Sequence, residues 1–351
     1  MKRTASSADH DDEASPRALK RGKEDAGGAR VVGGRAANND QFFTKRAVAA
    51  KCLARVREVV GALEDFACVL EPSAGTGAFF DALPRGKRVG VDIDAAPGSE
   101  CVKKDFLKIK AAPAKKRPPD HFVVTDKLGR TVRIPCESKN VLVVGNPPFG
   151  KNAATAIEFV NHALELADTV CFVLPRTFNK ASAQGRVDRR AHLVFSEDVE
   201  DGAFEFNGQD YNVPCTFQIW KVRENQPRRE LFQAVRTHPD FTFVSDCSKR
   251  GVFAVQRVGV NAGTVKKGAA MKKASPNSHY FILPKDQSDR VFKRMQSAEM
   301  ASSSVKHQTA GCPSISKDEL ISMYSAQRRS GSGSTAAQSQ CKCPACKQKQ
   351  G

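Results

Sequence analysis

The chain has 351 residues, 40% of them hydrophobic, with 56 Lys and Arg against 38 Asp and Glu, a formal net charge of +18. That length holds one large domain with extensions or two small ones, and the apolar content supports a core flanked by polar ends. No apolar run approaches the roughly 18 residues of a membrane span, and the polar start MKRTASSADHDDE lacks a secretory apolar segment, so we expect an intracellular protein with reduced thiols and no membrane partner.

Residues 1–38 are rich in Ala, Ser, Gly and charged residues and read as a disordered tail. The pair Lys2-Arg3 and the cluster at 17–23 are either a two-part nuclear import signal or a solvated charged stretch. Residues 1–40 carry a net +1 and residues 301–351 a net +5, which leaves +12 in the part expected to fold. A basic folded surface suits a polyanion such as DNA or RNA.

From about residue 40 the pattern changes. Val48, Cys52, Leu53, Val56, Val59, Val60 and Leu63 recur at helical spacing and predict an amphipathic helix across 44–63. Short apolar runs follow at 68–70, 88–93, 141–145, 170–174 and 217–222, separated by helical stretches. Strands alternating with helices predict an α/β fold with a parallel, doubly wound sheet over 39–224. Residues 108–120 read as a basic, Pro-rich loop, and 122–134 as a hairpin turning near Lys127 to Arg130. Beyond Pro227, β-like runs at 241–244, 252–258 and 279–283, with a basic loop at 263–273, predict a small β-rich accessory unit over 228–297. Residues 300–351, rich in Ser, Gln and Gly, read as a second disordered tail.

The chain has eleven cysteines. Cys68, Cys171 and Cys215 sit inside apolar runs and read as small buried hydrophobes. Cys341, Cys343 and Cys346 offer three thiolates close together, but a structural zinc site wants four ligands. Only Cys312 or His307 is near in sequence, so we assign no metal and read an exposed, redox-sensitive tail.

The strongest local feature is the run Val69-Leu70-Glu71-Pro72-Ser73-Ala74-Gly75-Thr76-Gly77. A buried strand runs into a small-residue loop, where glycines let backbone approach a ligand. The loop lacks the third glycine of the dinucleotide pattern and the Gly-Lys-Ser/Thr of a P-loop. Asp92, followed by Ile93, ends the next strand about 20 residues on, where a carboxylate can accept both hydroxyls of an unphosphorylated ribose. Asp105-Phe106 adds an acceptor for an exocyclic amine and an apolar ring for an adenine face. These features narrow the ligand to an adenosine cofactor and no further.

The apolar run 141–145 delivers Asn146-Pro147-Pro148-Phe149-Gly150 at its carboxyl end. Two prolines are stiff and cannot donate backbone hydrogen bonds, so they fix the direction of the Asn146 side chain and the carbonyls beside it. An amide oxygen and a carbonyl aimed at one point form a double acceptor for an –NH2 group. The amine of a heteroaromatic base is a poor nucleophile because its lone pair is delocalised. Two acceptors localise that pair, and positioning does the rest without a strong base. Phe149 is placed to stack on the target base, which has to be unstacked or flipped.

Glu71 to Gly77, Asp92, Asp105-Phe106 and Asn146 to Phe149 together resemble motifs I to IV of the amino-methyltransferase group of class I S-adenosylmethionine-dependent methyltransferases, with the motif order of the N6-adenine enzymes. Asp40-Gln41-Phe42-Phe43-Thr44 resembles the segment of those enzymes that covers the methionine part of the cofactor, although Lys45 stands where many have Pro. The resemblance spans roughly 39–222. It implies a Rossmann-like, seven-stranded mixed sheet and S-adenosyl-L-methionine as cofactor, held by Phe43, Thr44, Glu71, Pro72, Ser73, Ala74, Gly75, Gly77, Asp92, Ile93, Asp105, Phe106 and Asn146. It further implies methylation of adenine N6 in DNA or RNA. The fourth motif also occurs in guanine-N2 enzymes of ribosomal RNA and in a related form in protein glutamine methyltransferases, so the acceptor stays open among these. A non-catalytic nucleic-acid-binding partner is the reading from another class, and a requirement for an activator subunit is left open. As phosphate contacts we nominate Lys151, Arg176, Lys180, Arg186, Arg189 and Arg190, all shortly after strand ends.

Overall fold

Three short runs rich in Val and Leu form the middle of the main sheet, because each has to be covered on both faces. The protein, seen as a computed structural model, is described at residues 42–109, 121–125, 131–135, 140–223, 225–286, 289–297 and 303–330, all within one unit, Gly34–Gly351. It begins with β1 (Phe43–Thr44), α1 (Arg46–Val60), β2 (Cys68–Glu71), β3 (Arg88–Asp92) and β4 (Val102–Lys103). The antiparallel pair β5 (His121–Thr125) and β6 (Thr131–Pro135) follows, at the place where the hairpin is expected. The residues expected in its turn lie outside the described ones, as do most of the basic 108–120 loop, both distal tails and the last three cysteines. Next come β7 (Val141–Gly145), α2 (Ala154–Leu166), β8 (Thr169–Pro175), α3 (Ala181–Gln184), β9 (Ala191–Asp198), β10 (Phe204–Phe206), β11 (Gln209–Tyr211) and β12 (Cys215–Val222).

Seven of these strands make one mixed sheet in the order β4-β3-β2-β7-β8-β12-β9. β4, β3, β2, β7 and β8 run parallel, and β12 runs antiparallel to both of its neighbours. The parallel sheet read from strand alternation holds for five strands, and the antiparallel β12 makes it the seven-stranded mixed sheet that the resemblance implies. The chain returns to β12 from β9 through the β10–β11 hairpin, and an antiparallel return needs no crossover helix. β2, β7 and β8 are buried along their whole length.

α1 buries Val48, Cys52, Leu53 and Val56 of the predicted stripe together with Ala49, whereas Val59 is exposed and Leu63 is buried beyond the helix end. It lies over the face that carries Phe217, and Arg55 pairs with Glu197 at 2.9 Å. Alternation puts Trp220 on the opposite face, where the Arg229 guanidinium sits 5.1 Å from the indole centre. Arg229 donates to the carbonyls of Gln184, Val187, Asp188 and Ala191, and this fastens the 184–191 segment to the sheet.

The remaining elements are β13 (Phe241–Val244), β14 (Phe253–Gln256), β15 (Val265–Lys266), β16 (His279–Pro284), α4 (Arg290–Met295) and α5 (Lys317–Ser330). The strands form a separate antiparallel sheet, β13-β16-β14-β15. Phe241, Phe253, Val255 and Ile282 pack there with Val291 and Met295 of α4 and with Leu320, Ile321 and Tyr324 of α5. α5 lies inside the stretch expected to be disordered. Its apolar stripe is one face of a polar helix, and it becomes core only because a sheet waits for it. This second unit is joined to the first through the segment after β8. Lys180 Nζ donates to Glu319 at 3.0 Å and to the Ser314 carbonyl at 3.2 Å, and Asn179 Nδ2 donates to Gln308 Oε1 at 2.9 Å. Among the described residues no helix is long and apolar enough to cross a membrane.

Candidate functional site

β2 and β7 are neighbours, so their carboxyl ends open side by side. From β2 the chain passes through buried Glu71, Pro72 and Ala74 and half-buried Ser73. Ser73 Oγ donates to the Asn146 carbonyl at 3.0 Å and ties the two strand ends together. Gly75 has φ +50°, and a Cβ there would lie 3.1 Å from the Phe43 ring, so a larger residue would strain the backbone and crowd that ring. Gly77 also has positive φ and abuts the Asp81 carboxylate.

Asp92 holds the loop from the next strand. Its Oδ2 accepts the Gly75 N–H at 2.7 Å and its Oδ1 the Asp94 N–H at 2.8 Å. Each oxygen keeps a lone-pair direction for a further donor. Ile93 beside it is 55% exposed, an apolar surface at the lip of the loop. Asp105 accepts the Leu107 N–H at 3.1 Å and pairs with Lys108. Phe106 does not present a face to a ligand. It is buried, with its ring against Phe159 and His162 of α2, because the helix that crosses from β7 to β8 lies directly on it.

Glu71 is 2% exposed, and its Oε2 has no hydrogen-bond partner. Burial pushes its carboxyl well above the ordinary range; an accepted Phe80 N–H opposes the shift, and Asp92 and Asp81 add to it. At the end of β7, Gly145 has φ +154°, and a Cβ there would lie 3.2 Å from Glu71 Cγ. The glycine thus lets the two strand ends close together. Asn146 follows at once, and its Oδ1 is buried without a partner. Pro147 is buried and Pro148 half-buried, and neither can donate to that oxygen. Thr44 Oγ1 is a third orphan. Half of the six such side-chain atoms among the described residues therefore come from β1 and the ends of β2 and β7, and buried polar groups are rarely left so.

The Phe149 ring is only 6% exposed. Phe42 meets it edge-on at 5.1 Å and also contacts Phe204 and Tyr211. The expected open stacking face is therefore covered in this conformation. The cover is a three-stranded sheet, β1-β10-β11, held in part by Lys45–Asp210 at 2.7 Å. Sequence reasoning missed β10 and β11, although Asn207-Gly208, both at positive φ, is the strongest short hairpin signal.

Most of the nominated phosphate contacts are already committed. Lys180 is 9% exposed and paired with Glu319. Arg176 lies 3.4 Å from Asp198, Arg190 is paired with Asp188, and Arg189 donates to the Arg229 carbonyl. Lys151 and Arg186 are exposed. Among the described residues no cluster of His, Cys, Asp and Glu could hold a metal ion. Cys52, Cys68, Cys101, Cys171 and Cys215 are buried thiols.

No family model matches the chain, and no curated protein matches it. Among solved structures it is similar to a protein of Pyrococcus horikoshii provisionally described as an RNA methyltransferase. The two are 15% identical with a TM-score of 0.33, over 52% of this chain and 87% of that one. A likeness at that level carries no argument about activity.

Proposed function

We propose that the chain transfers a methyl group from S-adenosylmethionine to an exocyclic amine of a nucleic-acid base, with adenine N6 as the target. The observation that carries this reading is Asn146 Oδ1, a buried acceptor with no partner, at the end of β7 beside the glycine loop of β2. An acceptor withheld from every protein donor is suited to a donor that arrives with a substrate.

The residues also fit the cofactor. Gly75 and Gly145 let the Phe43 ring and the Glu71 side chain pack close to the two strand ends that border the proposed cofactor site. Asp92 keeps lone pairs for ribose hydroxyls, Ile93 offers an apolar surface for the adenine, and Asp105 offers an acceptor at its edge. Glu71 is poised for a cation, since an ammonium group would favour its charged form and satisfy Oε2. When bound, the cofactor supplies an electrophilic methyl on a sulfonium. Asn146 Oδ1, with a carbonyl of the Pro147-Pro148 turn, accepts the two hydrogens of the amine and localises its lone pair. Phe42 packs edge-on against Phe149 and has to move with β1 for a base to reach the Phe149 face.

A labelled-methyl transfer assay on DNA, RNA and protein, followed by nucleoside mass spectrometry, tests the reading. N6-methyladenine is the expected product. N2-methylguanine or a methylated glutamine replaces the acceptor and keeps the chemistry. Asn146→Ala should lower turnover by about 10³-fold, in line with loss of a preorganised polar group, while cofactor affinity stays nearly unchanged; retained turnover would falsify the mechanism.

A further inference from the structure

The cations nominated from the sequence for gripping a phosphate backbone are largely spent on carboxylates and carbonyls within the fold. The positive charge lies elsewhere. Residues 39–224 carry 27 Lys and Arg against 24 Asp and Glu, a net +3, whereas residues 228–330 carry 18 against 8, a net +10. The unit that bears the candidate chemistry is close to neutral, and the unit joined to it is strongly basic.

Within the second unit Arg257, Arg294 and Lys317 are each held over an aromatic ring without a carboxylate; Arg294 lies over Tyr324, and Arg257 and Lys317 share Tyr280. Arg257 lies 5.3 Å from the Tyr280 ring centre and donates to the Asn277 carbonyl. Lys317 lies 4.8 Å from the Phe243 ring and 5.8 Å from the Tyr280 ring, and its residue is exposed. Among the described residues neither has a carboxylate within ion-pair distance. Aromatic faces order a cation without neutralising it, so both charges remain available to an anion.

The position of this pair matters as much as its charge. Tyr280 donates to the Ile315 carbonyl, Val258 bridges Ser314, and Ser314 and Glu319 are the residues that hold Lys180. Lys180 follows β8, the parallel neighbour of β7 on the side away from β2. Gly145 is level with Phe172, and β8 runs on for three more residues, about 10 Å of extended chain. Through these contacts the order of neighbours is glycine loop, Asn146, the segment after β8, and then the cationic pair.

We propose that the C-terminal unit is the polynucleotide grip of this protein, with Arg257 and Lys317 contacting successive phosphates of the strand whose base enters beside Asn146. This rests on the nucleic-acid reading above and adds where the backbone is held. The contact is to phosphate and carries no base preference, so target selection belongs to the crevice and not to this surface.

The test is fluorescence-anisotropy titration of the full-length protein with labelled single-stranded DNA and RNA about 30 nucleotides long, across a range of salt concentrations. The double variant Arg257→Gln, Lys317→Gln keeps most of each stem and removes both charges. Its affinity should fall about tenfold or more, and the slope of log K against log salt should shrink by about 1.4, the value for two single-strand phosphates. Asp318→Asn removes the carboxylate beside the pair and should tighten binding. It decides the matter if the double variant loses its fold, as judged by lost cofactor binding. Wild-type binding that the neutralised variant matches in affinity and slope, or an Asp318→Asn variant that binds as wild type, overturns the grip and leaves the methyl-transfer reading standing. A wild-type protein that binds neither strand overturns the nucleic-acid reading and the grip together.

Discussion

The two sides of the crevice treat their polar groups in opposite ways. On the β3 side Asp92 spends both carboxylate oxygens on backbone N–H groups of its own loop. On the β7 side Asn146 Oδ1, Glu71 Oε2 and Thr44 Oγ1 are buried and accept nothing. A satisfied carboxylate is scaffold that a ligand can share. An orphan acceptor costs about 1–3 kcal/mol until something arrives to donate to it. The first side is therefore built to exist before the ligand, and the second is completed by it.

Substitutions can break or sharpen that contrast. The largest effect on binding belongs to Asp92→Ala. It releases the Gly75 loop as well as the proposed ribose acceptor and should weaken binding of the proposed cofactor by about 100-fold, two charge-assisted hydrogen bonds' worth, as read by calorimetry; affinity within twofold of wild type would show the loop to be held by other means. Arg229→Ala removes a committed group of the same kind far from the crevice and strands four carbonyls. We expect about 2–3 kcal/mol of lost stability in urea melts, with cofactor affinity unchanged. Glu71→Gln should act in the opposite direction. The folded protein holds this carboxyl's proton more tightly than the unfolded chain does, so wild-type stability falls as pH rises from the ordinary value of 4.5 towards the raised folded value. The glutamine variant lacks that loss and should melt a few degrees higher near neutral pH while binding cofactor more weakly. Equal melting at every pH would remove Glu71 from the ligand-completed side. Asn146→Ala, which lowers turnover by about 10³-fold, should leave the melting temperature nearly unchanged, because it deletes an orphan.

Much of this was legible from residue patterns. The strands at the sheet centre are uninterrupted apolar runs, and the runs around Glu71 and Asn146 announce loops at strand ends. β4 has two residues and β9 is a half-exposed edge, so neither leaves a periodic trace. The role of a cation is least legible. Lys180 looks like a surface charge until Glu319, 139 residues away, is placed against it. Phe106 and Phe149 sit in motifs that suggest stacking, yet α2 and Phe42 cover them. Sequence spacing reports which residues share a strand end, while burial is decided by elements that arrive from elsewhere in the chain.

α5 has a consequence for how the molecule is made. Its Leu320, Ile321 and Tyr324 complete the core of the second unit, and Glu319 at its first turn closes onto Lys180. During synthesis from the N-terminus the seven-stranded sheet can form while β13 to β16 still lack their covering helix. The final step is the closure of a very long loop, which is entropically slow to begin and cooperative once made. A nascent chain stalled before residue 317 would carry a finished crevice and an open, sticky sheet, and would be a substrate for chaperones before it reached its folded form.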